Sequence, residues 1–264
     1  VVLAPNAHAA RALARAGAWF GEPESLDRAR GTLDALLDAR RAGVLPHSLR
    51  RGSGPATLAD HAALGLAALE FFAASGEVRH LEAARQLDLE IARRFTAEDG
   101  GLLEFLDGSR QVLPDRPAPS GAALALELAA RLSLLDAPAD RSRVARAQNA
   151  LARLSGAIAA DPLAHADALL ASLILERPIE VVIAVSERRD ARPWVDLAAR
   201  LAPLRALVLI VDDAGRRATE AASPLATGKT PKGGRVRAFV CRGQVCDRPA
   251  DELETFQTQL TALR

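Results

Sequence analysis

The segments Leu26-Asp-Arg-Ala-Arg30, Leu81-Glu-Ala-Ala-Arg85 and Val144-Ala-Arg-Ala-Gln148 are three copies of one helical pattern. Each copy holds the same place in a pair of predicted helices, which are joined by a short turn that contains Gly or Pro. Longer, irregular connections separate one pair from the next. This alternation predicts α-hairpins packed side by side, in either a solenoid or a closed α/α toroid.

Apolar periodicity extends the helical pattern over the first 176 residues. Ala and Leu recur at i, i+3, i+4 and i+7, which predicts helices at 7–20, 26–41, 58–74, 81–95, 122–135, 144–159 and 166–175. Gly and Pro mark the breaks, including residues 114–119 and Pro138. Ser25, Thr57 and Ser120 stand where N-caps are expected. The sequence therefore predicts a mainly α protein.

The pattern changes after Pro178 to short β-branched and apolar runs. Residues 180–185 and 206–211 are predicted strands on either side of a helix at 194–201, which indicates a βαβ unit with a buried parallel pair. Residues 235–241 are a third predicted strand, and 250–263 a last helix. We therefore predict a helical domain over residues 1–177 and a small C-terminal α/β subdomain over residues 178–264.

Composition excludes several classes of function. The 264 residues carry 34 Lys and Arg against 33 Asp and Glu, a net charge of +1, so nothing favours nucleic acid or an anionic membrane as a partner. No apolar run approaches the roughly 20 residues that span a bilayer, and no signal-peptide pattern is present. We expect a cytoplasmic protein with no metal and no cofactor. Because the chain lacks Met, we also expect it to be part of a longer protein.

Several segments resemble, in order and spacing, the motifs of one protein family. They are Leu45-Pro46-His47-Ser48-Leu49-Arg50, Leu58-Ala59-Asp60-His61-Ala62, Asp99-Gly100-Gly101-Leu102-Leu103, Pro119-Ser120-Gly121 and Arg237-Ala-Phe-Val-Cys241-Arg-Gly-Gln-Val-Cys246-Asp-Arg-Pro249. The last is similar to the ending A-Y-V-C-x-N-x-x-C-x-x-P. The chain thus resembles the C-terminal portion of the spermatogenesis-associated protein 20 / YyaL-like family of thioredoxin-domain-containing proteins (DUF255).

The resemblance implies an α/α toroid similar to those of N-acylglucosamine 2-epimerases and six-hairpin glycosidases, here an incomplete arc. It also implies a thioredoxin-like domain upstream as a partner. The chain departs from the family at His61, at Ala122 and at Leu102-Leu103, and it has only 7 Phe, 2 Trp and no Tyr to stack on sugars. These departures favour a non-catalytic scaffold or interaction region. The alternative is a carbohydrate-active toroid that binds a carbohydrate-like small molecule.

The candidate catalytic residues are Asp60 and His61, an acid and a base near a helix start. Adjacent helical residues point about 100° apart, so the pair does not readily aim at one atom. Asp60 also lies three residues after Thr57, where a carboxylate suits the helix dipole. The structural role is therefore the favoured one.

The candidate substrate-binding residues are Asn6, His47, Arg50 and Ser120. An arginine in a connecting loop can hold a carboxylate or phosphate. An N-cap is the favoured role of Ser120, because the G-x-S-x-G pattern of a nucleophilic serine is absent. A second connection holds three carboxylates, which suit glycoside chemistry only if two of them stand about 5–10 Å apart: Asp99, Glu104 and Asp107.

Cys241 and Cys246 are either a disulfide or two reduced thiols. A strand followed by a tight turn can bring two cysteines within bonding distance. Their spacing differs from the C-x-x-C of a thioredoxin-like pair, and no further Cys or His follows to complete a zinc site.

Overall fold

The structure is a computed structural model that describes residues 1–40, 43–107, 115, 118–137 and 141–263. It is mainly helical, with a small four-stranded C-terminal sheet. All seven helices predicted before residue 177 are confirmed: α1 Leu3–Phe20, α2 Pro23–Leu37, α3 Leu58–Ser75, α4 Val78–Arg94, α5 Gly121–Ser133, α6 Ser142–Ala160 and α7 Ala166–Glu176. The predicted end of the second helix at residue 41, the break at Pro138 and most of the break at 114–119 fall outside the described residues.

The odd-numbered helices form a row in the order α1, α3, α5, α7, and we call them the core-layer helices. Each even-numbered helix packs against the helix before it. The approach of α3 to α5 is close, since a Cβ added to Gly65 would lie 2.5 Å from a methyl of Leu128. By length and composition α3 could cross a membrane, but 83% of its apolar window is buried inside the protein. Burial in the core therefore accounts for its composition.

Two of the three predicted N-caps are confirmed. Thr57 caps α3 and Ser120 caps α5, each accepting a backbone N–H with its hydroxyl. The prediction for Ser25 is wrong, because α2 begins two residues earlier, after Glu22. Pro23 occupies the first turn, where its fixed φ favours a helix start. The Ser25 hydroxyl instead lies 3.0 Å from Oε2 of Glu22.

The tail contains β1 Glu180–Val185, α8 Arg192–Leu201, β2 Leu207–Asp212, α9 Arg216–Ala222, β3 Arg237–Arg242, β4 Val245–Cys246 and α10 Leu253–Thr261. The strand order is β2-β1-β3-β4. The predicted parallel pairing of β1 with β2 is confirmed, and β3 runs antiparallel to β1. The sequence patterns did not predict α9 or β4, which are short.

The sheet lies between the helices and a second apolar layer. Val182 and Phe239 point into the core formed by α1, α3, α4 and α5. Val181 lies on the opposite face, in a cluster with Trp194 of α8 and Phe256 of α10. Every residue of β1 is buried, as expected for a strand with both faces covered. The helices and the sheet share a core across the predicted domain boundary, which itself stays a prediction.

Donors from the tail meet the C-terminal ends of the core-layer helices. Arg188 donates from Nη1 to the carbonyl of Ala74 in α3 at 2.6 Å, and Arg192 donates to the carbonyl of Phe20, the last residue of α1. The side-chain amide of Gln244 donates to two carbonyls that follow α5. Carbonyls at a helix C-terminus lack intrahelical donors and carry the negative end of the dipole, so these contacts fix the tail to the helices.

Candidate functional site

Asp60 links the starts of two core-layer helices. Its Oδ1 accepts the N–H of Ala4 in α1 at 3.0 Å. Its Oδ2 accepts the N–H of Thr57 at 2.9 Å and the Thr57 hydroxyl at 3.1 Å, at the start of α3. The carboxyl is fully buried. Thr57 and Asp60 thus form a capping box that also serves the neighbouring helix.

The same carboxylate holds a histidine at the surface. Nδ1 of His47 lies 2.7 Å from Oδ2 of Asp60, and the His47 side chain is 48% exposed. With the carboxyl oxygen as acceptor, Nδ1 is the nitrogen of His47 that donates in this contact. A carboxylate that fixes an imidazole in this way is a common arrangement for a general base.

Glu104 is a second buried acid at this end of the helices. Its side chain accepts the N–H of Ala59, and its carbonyl accepts the N–H of Leu58 at 3.1 Å. Burial raises the pKa of Glu104 to about 7; the Ala59 N–H opposes this shift and Asp60 adds to it. At neutral pH a substantial fraction of this carboxyl is therefore protonated.

Gly121 at the start of α5 lets the Glu104 carboxyl approach. A Cβ at residue 121 would lie 2.5 Å from Oε2 of Glu104 and 2.7 Å from Oε1. We expect Gly121→Ala to displace the carboxyl and to lower the free energy of unfolding by about 1–3 kcal/mol in urea denaturation. Gly156→Ala on the exposed face of α6 is the matched control, since nothing lies within 4 Å of its Cβ position. Equal effects at the two positions would contradict this packing account.

Asp115 serves the other two core-layer helices. Its Oδ1 accepts the N–H of Ser120 at 2.8 Å, just before α5, and its Oδ2 accepts the N–H of Asp167 in α7 at 3.1 Å. The hydroxyl of Ser120 accepts the N–H of Ala123 at 3.2 Å. Neighbouring helices that run in the same direction gather their positive dipole ends at one place. The carboxyl groups of Asp60 and Asp115 accept N–H groups at these helix starts, and this accounts for the acidic residues found there.

The predicted catalytic pair does not face a common atom. His61 is buried with Nδ1 2.8 Å from the carbonyl of Thr57, and its Nε2 lies 3.4 Å from Oε2 of Glu90 on α4. Asp60 instead faces α1 and His47. The divergence agrees with the angle of about 100° between adjacent residues on a helix.

Among the predicted site residues, the structure brings His47 and Asp60 into direct contact. Asn6 donates its side-chain amide to the carbonyl of Val2 at 2.7 Å, and so closes the first turn of its own helix. Arg50 lies in the loop between α2 and α3, three residues after His47. Asn6 and His47 thus make separate contacts, at Val2 and at Asp60.

A cleft of about 520 Å³ lies between α1 and α7, with α5 at its base. In the described part of the chain, none of the predicted site residues lines it. Its polar lining includes Arg11, Arg15, Glu127, Arg131 and Asp167, and Trp19 and Phe20 of α1 add aromatic surface. The sequence patterns did not single out these residues.

The arginines of the cleft are paired with glutamates of α3 and α5. Arg11 on α1 donates to both oxygens of Glu127 on α5, at 3.1 and 2.6 Å. Arg131 donates from Nε to Glu127 at 2.7 Å, and Arg15 donates to both oxygens of Glu70 on α3, at 3.1 and 2.7 Å. Bidentate pairs of this kind are the strong class of charge-assisted hydrogen bonds. The network joins α1, α3 and α5.

Electrostatics within the network favour the ionised state of both acids. Burial acts to raise the pKa of Glu127, but Arg11 and Arg131 outweigh it and hold the pKa at about 2. Burial likewise opposes ionisation of Glu70, whose pKa nevertheless stays below its usual value beside Arg15 and Arg11. The pKa of Asp167 is raised, first by its burial and then by the nearby carboxylates.

The network also reaches the tail. The two terminal nitrogens of Arg131 donate to the carbonyls of Leu204 at 2.9 Å and Ala206 at 3.3 Å, in the loop before β2. Arg131 therefore uses its donors on protein groups, and Arg11 and Arg15 use theirs on Glu127 and Glu70. The arrangement binds the helices to each other and to the tail, and it engages all three arginines of the cleft.

The tail holds the remaining candidate residues. Cys241 and Cys246 lie opposite each other on β3 and β4 and are joined by a disulfide. Within the described ranges, no group of three or more His, Cys, Asp or Glu side chains is placed to hold a metal ion. The sequence matches no protein-family model, and no curated protein matches it significantly.

Proposed function

We propose that this chain is a non-catalytic scaffold or interaction region within a thioredoxin-domain-containing protein. The observation that carries the proposal is the pairing of Arg11, Arg15 and Arg131 with Glu70, Glu127 and backbone carbonyls. A sugar-binding cleft needs polar groups that remain available to the ligand. Here the charged groups at the base of the cleft are used to hold the protein together.

The arrangement of the helices supports an arc of an α/α toroid. The core-layer helices follow one another in a row, and α2, α4 and α6 return between them. The resemblance of the sequence motifs to the thioredoxin-domain-containing family supports the α/α toroid as well. It also supports a cytoplasmic location and a thioredoxin-like domain as the partner. The three repeated segments fall in α2, α4 and α6, the second helix of each pair.

A second function is favoured by the pair formed by His47 and Asp60. The partly exposed imidazole of His47 is bonded to the buried carboxyl of Asp60, and Asp60 in turn helps to raise the pKa of Glu104 to about 7. An imidazole and a carboxyl are the groups that act most often as general base and general acid. A carbohydrate-active toroid would use His47 as base and Glu104 as acid. Such an activity requires a substrate that binds at the N-terminal ends of the core-layer helices rather than in the cleft.

Thermal denaturation with a panel of neutral, amino and phosphorylated sugars separates the two functions. A sugar with a Kd of about 1 mM, present at about 10 mM, would stabilise the folded state by about 1.4 kcal/mol. That stabilisation corresponds to a rise in Tm of roughly 4 °C. We expect shifts below about 1 °C for every sugar, with glycerol as the control for non-specific stabilisation. A sugar-specific shift that disappears in His47→Asn would refute the scaffold proposal and support the carbohydrate-active one.

A further inference from the structure

A row of three chemically important side chains crosses the sheet of the tail. Glu180 on β1 lies opposite Cys241 on β3, and Cys241 lies opposite Cys246 on β4. Directly opposite residues on antiparallel strands share a face, with Cβ atoms about 4.5–5.5 Å apart. Cys241 is fully buried, whereas Cys246 is partly exposed. An incoming reagent therefore meets the Cys246 sulfur first.

The Glu180 carboxyl is held against the turn that connects the two cysteines. Its Oε2 accepts the N–H of Gln244 at 3.3 Å, and the N–H of Gly243 also contributes. Gly243 and Gln244 both have positive φ, 60° and 67°, as in a type I′ hairpin turn. The side-chain amide of Gln244 donates to the two carbonyls that follow α5. These bonds hold the turn, and with it the N–H groups that contact Glu180, in a fixed position.

The surroundings of Glu180 raise the pKa of its carboxyl above the usual value. It is buried, and burial raises its pKa, while the Gln244 N–H and the charge of Lys229 oppose the shift. Lys229 is itself bonded to the carbonyl of Leu225 at 2.6 Å. A cavity of about 100 Å³ lies beside Glu180 and is also lined by Arg141, so solvent can restore a proton to the carboxyl.

We propose that the Cys241–Cys246 disulfide is a site of thiol–disulfide exchange with dithiols, in which Cys246 is attacked and Glu180 protonates Cys241. The site is separate from the cleft and from the helix N-termini, and it is independent of the proposed scaffold function. The substrate class is a dithiol whose first thiolate can reach the partly exposed Cys246 on the edge strand β4.

The exchange has two balanced steps. A donor thiolate attacks Sγ of Cys246 and forms a mixed disulfide; the Cys241–Cys246 bond breaks, and its electron pair leaves on Cys241, which takes the proton of Glu180. The second donor thiol, as its thiolate, then attacks the donor sulfur of the mixed disulfide. Cys246 leaves as a thiolate and is protonated by solvent. The dithiol is oxidised by two electrons, and the protein disulfide is reduced to two thiols.

Because Cys241 is buried, an acid is expected to speed its departure. A thiolate in an apolar environment is disfavoured, so the departure of Cys241 without a proton would be slow. Glu180 lies opposite Cys241 on the same face of the sheet and can supply that proton. The contribution of the acid is greatest below the pKa of Glu180 and falls as the pH rises above it.

The first test measures the rate of disulfide reduction by dithiothreitol from about pH 5 to 9, with acid quenching and mass spectrometry. We expect Glu180→Gln to be reduced about tenfold more slowly than the wild type at the acidic end of this range, and within about twofold of it at the alkaline end. Glu254→Gln, at an exposed acid in the first turn of α10, is the control for the change in charge. A constant ratio of Glu180→Gln to wild type across this range would overturn the role of Glu180.

The second test identifies the attacked sulfur and does not depend on the folding of the Glu180 variant. In Cys241→Ser the remaining Cys246 should react with oxidised glutathione at least about tenfold faster than Cys241 does in Cys246→Ser, because Cys246 is partly exposed and Cys241 is fully buried. Urea denaturation establishes that both variants are folded. Equal reactivity in the two folded variants would overturn the assignment of Cys246.

Discussion

Replacing Asp60 by alanine is expected to lower the free energy of unfolding by about 3–5 kcal/mol. Four donors lose their acceptor at once: the N–H groups of Ala4 and Thr57, the Thr57 hydroxyl and Nδ1 of His47. The site is fully buried, so water does not replace the lost bonds without rearrangement. The starts of α1 and α3 lose their common cap, and the effect should exceed that of an ordinary N-cap, about 1 kcal/mol.

Two further variants make this expectation specific. Asp60→Asn keeps one acceptor oxygen but has no charge. We expect it to lower the free energy of unfolding by about half as much as Asp60→Ala does. Asp27→Ala, at an exposed acid on α2, should change stability by less than about 0.5 kcal/mol. The measurement is urea denaturation followed by circular dichroism at pH 7. If Asp60→Ala and Asp27→Ala are equally stable, Asp60 does not act as a shared cap.

Replacing Glu127 by alanine is expected to cost about 3–5 kcal/mol, because Arg11 and Arg131 are left as buried charges without their common partner. The same residue should make stability depend on pH. Its pKa is lowered from 4.5 to about 2 in the folded state, so its contribution is complete above pH 4.5 and is lost as the pH falls toward 2. A shift of this size corresponds to roughly 3 kcal/mol.

The pH dependence provides the sharper measurement of Glu127. Urea denaturation at pH 7 and near pH 3 gives the loss of stability on acidification for the wild type and for Glu127→Ala. We expect acidification to lower the free energy of unfolding less in Glu127→Ala than in the wild type. The variant lacks the carboxyl whose pKa differs between the folded and unfolded states. Glu24→Ala, at an exposed acid in the first turn of α2, should retain the loss found in the wild type. An unchanged pH dependence in Glu127→Ala would contradict its pairing with the arginines.

The helices and most strands were predictable because their signals are local. The period of 3.6 residues located α1 to α7, and β-branched runs located β1 and β2 within one residue. The spacing of Thr57 and Asp60 also indicated a capping role, which the structure shows. The mistaken cap at Ser25 came from overlooking Pro23, a stronger start signal two residues earlier.

The charged network of the cleft could not be found from local patterns alone. Arg11 and Arg15, like Glu127 and Arg131, have the i, i+4 spacing of ordinary surface residues on a helix. Their role depends on the order of the core-layer helices, which sets α1 on one side of the cleft and α5 at its base. The burial of Glu104 depends in the same way on the path of the connection that brings it against Gly121.

The packing of the sheet on α3 has a consequence for how the protein is made in the cell. The strand that contacts α3, β2, begins more than a hundred residues after α3 ends, so the ribosome delivers it well after the helices that pack on the other sides of α3. At about 5–20 residues per second, the sheet-facing side of α3 stays uncovered on the nascent chain for roughly 7–27 s. The burial of this apolar side is therefore completed late, when the sheet has been synthesised.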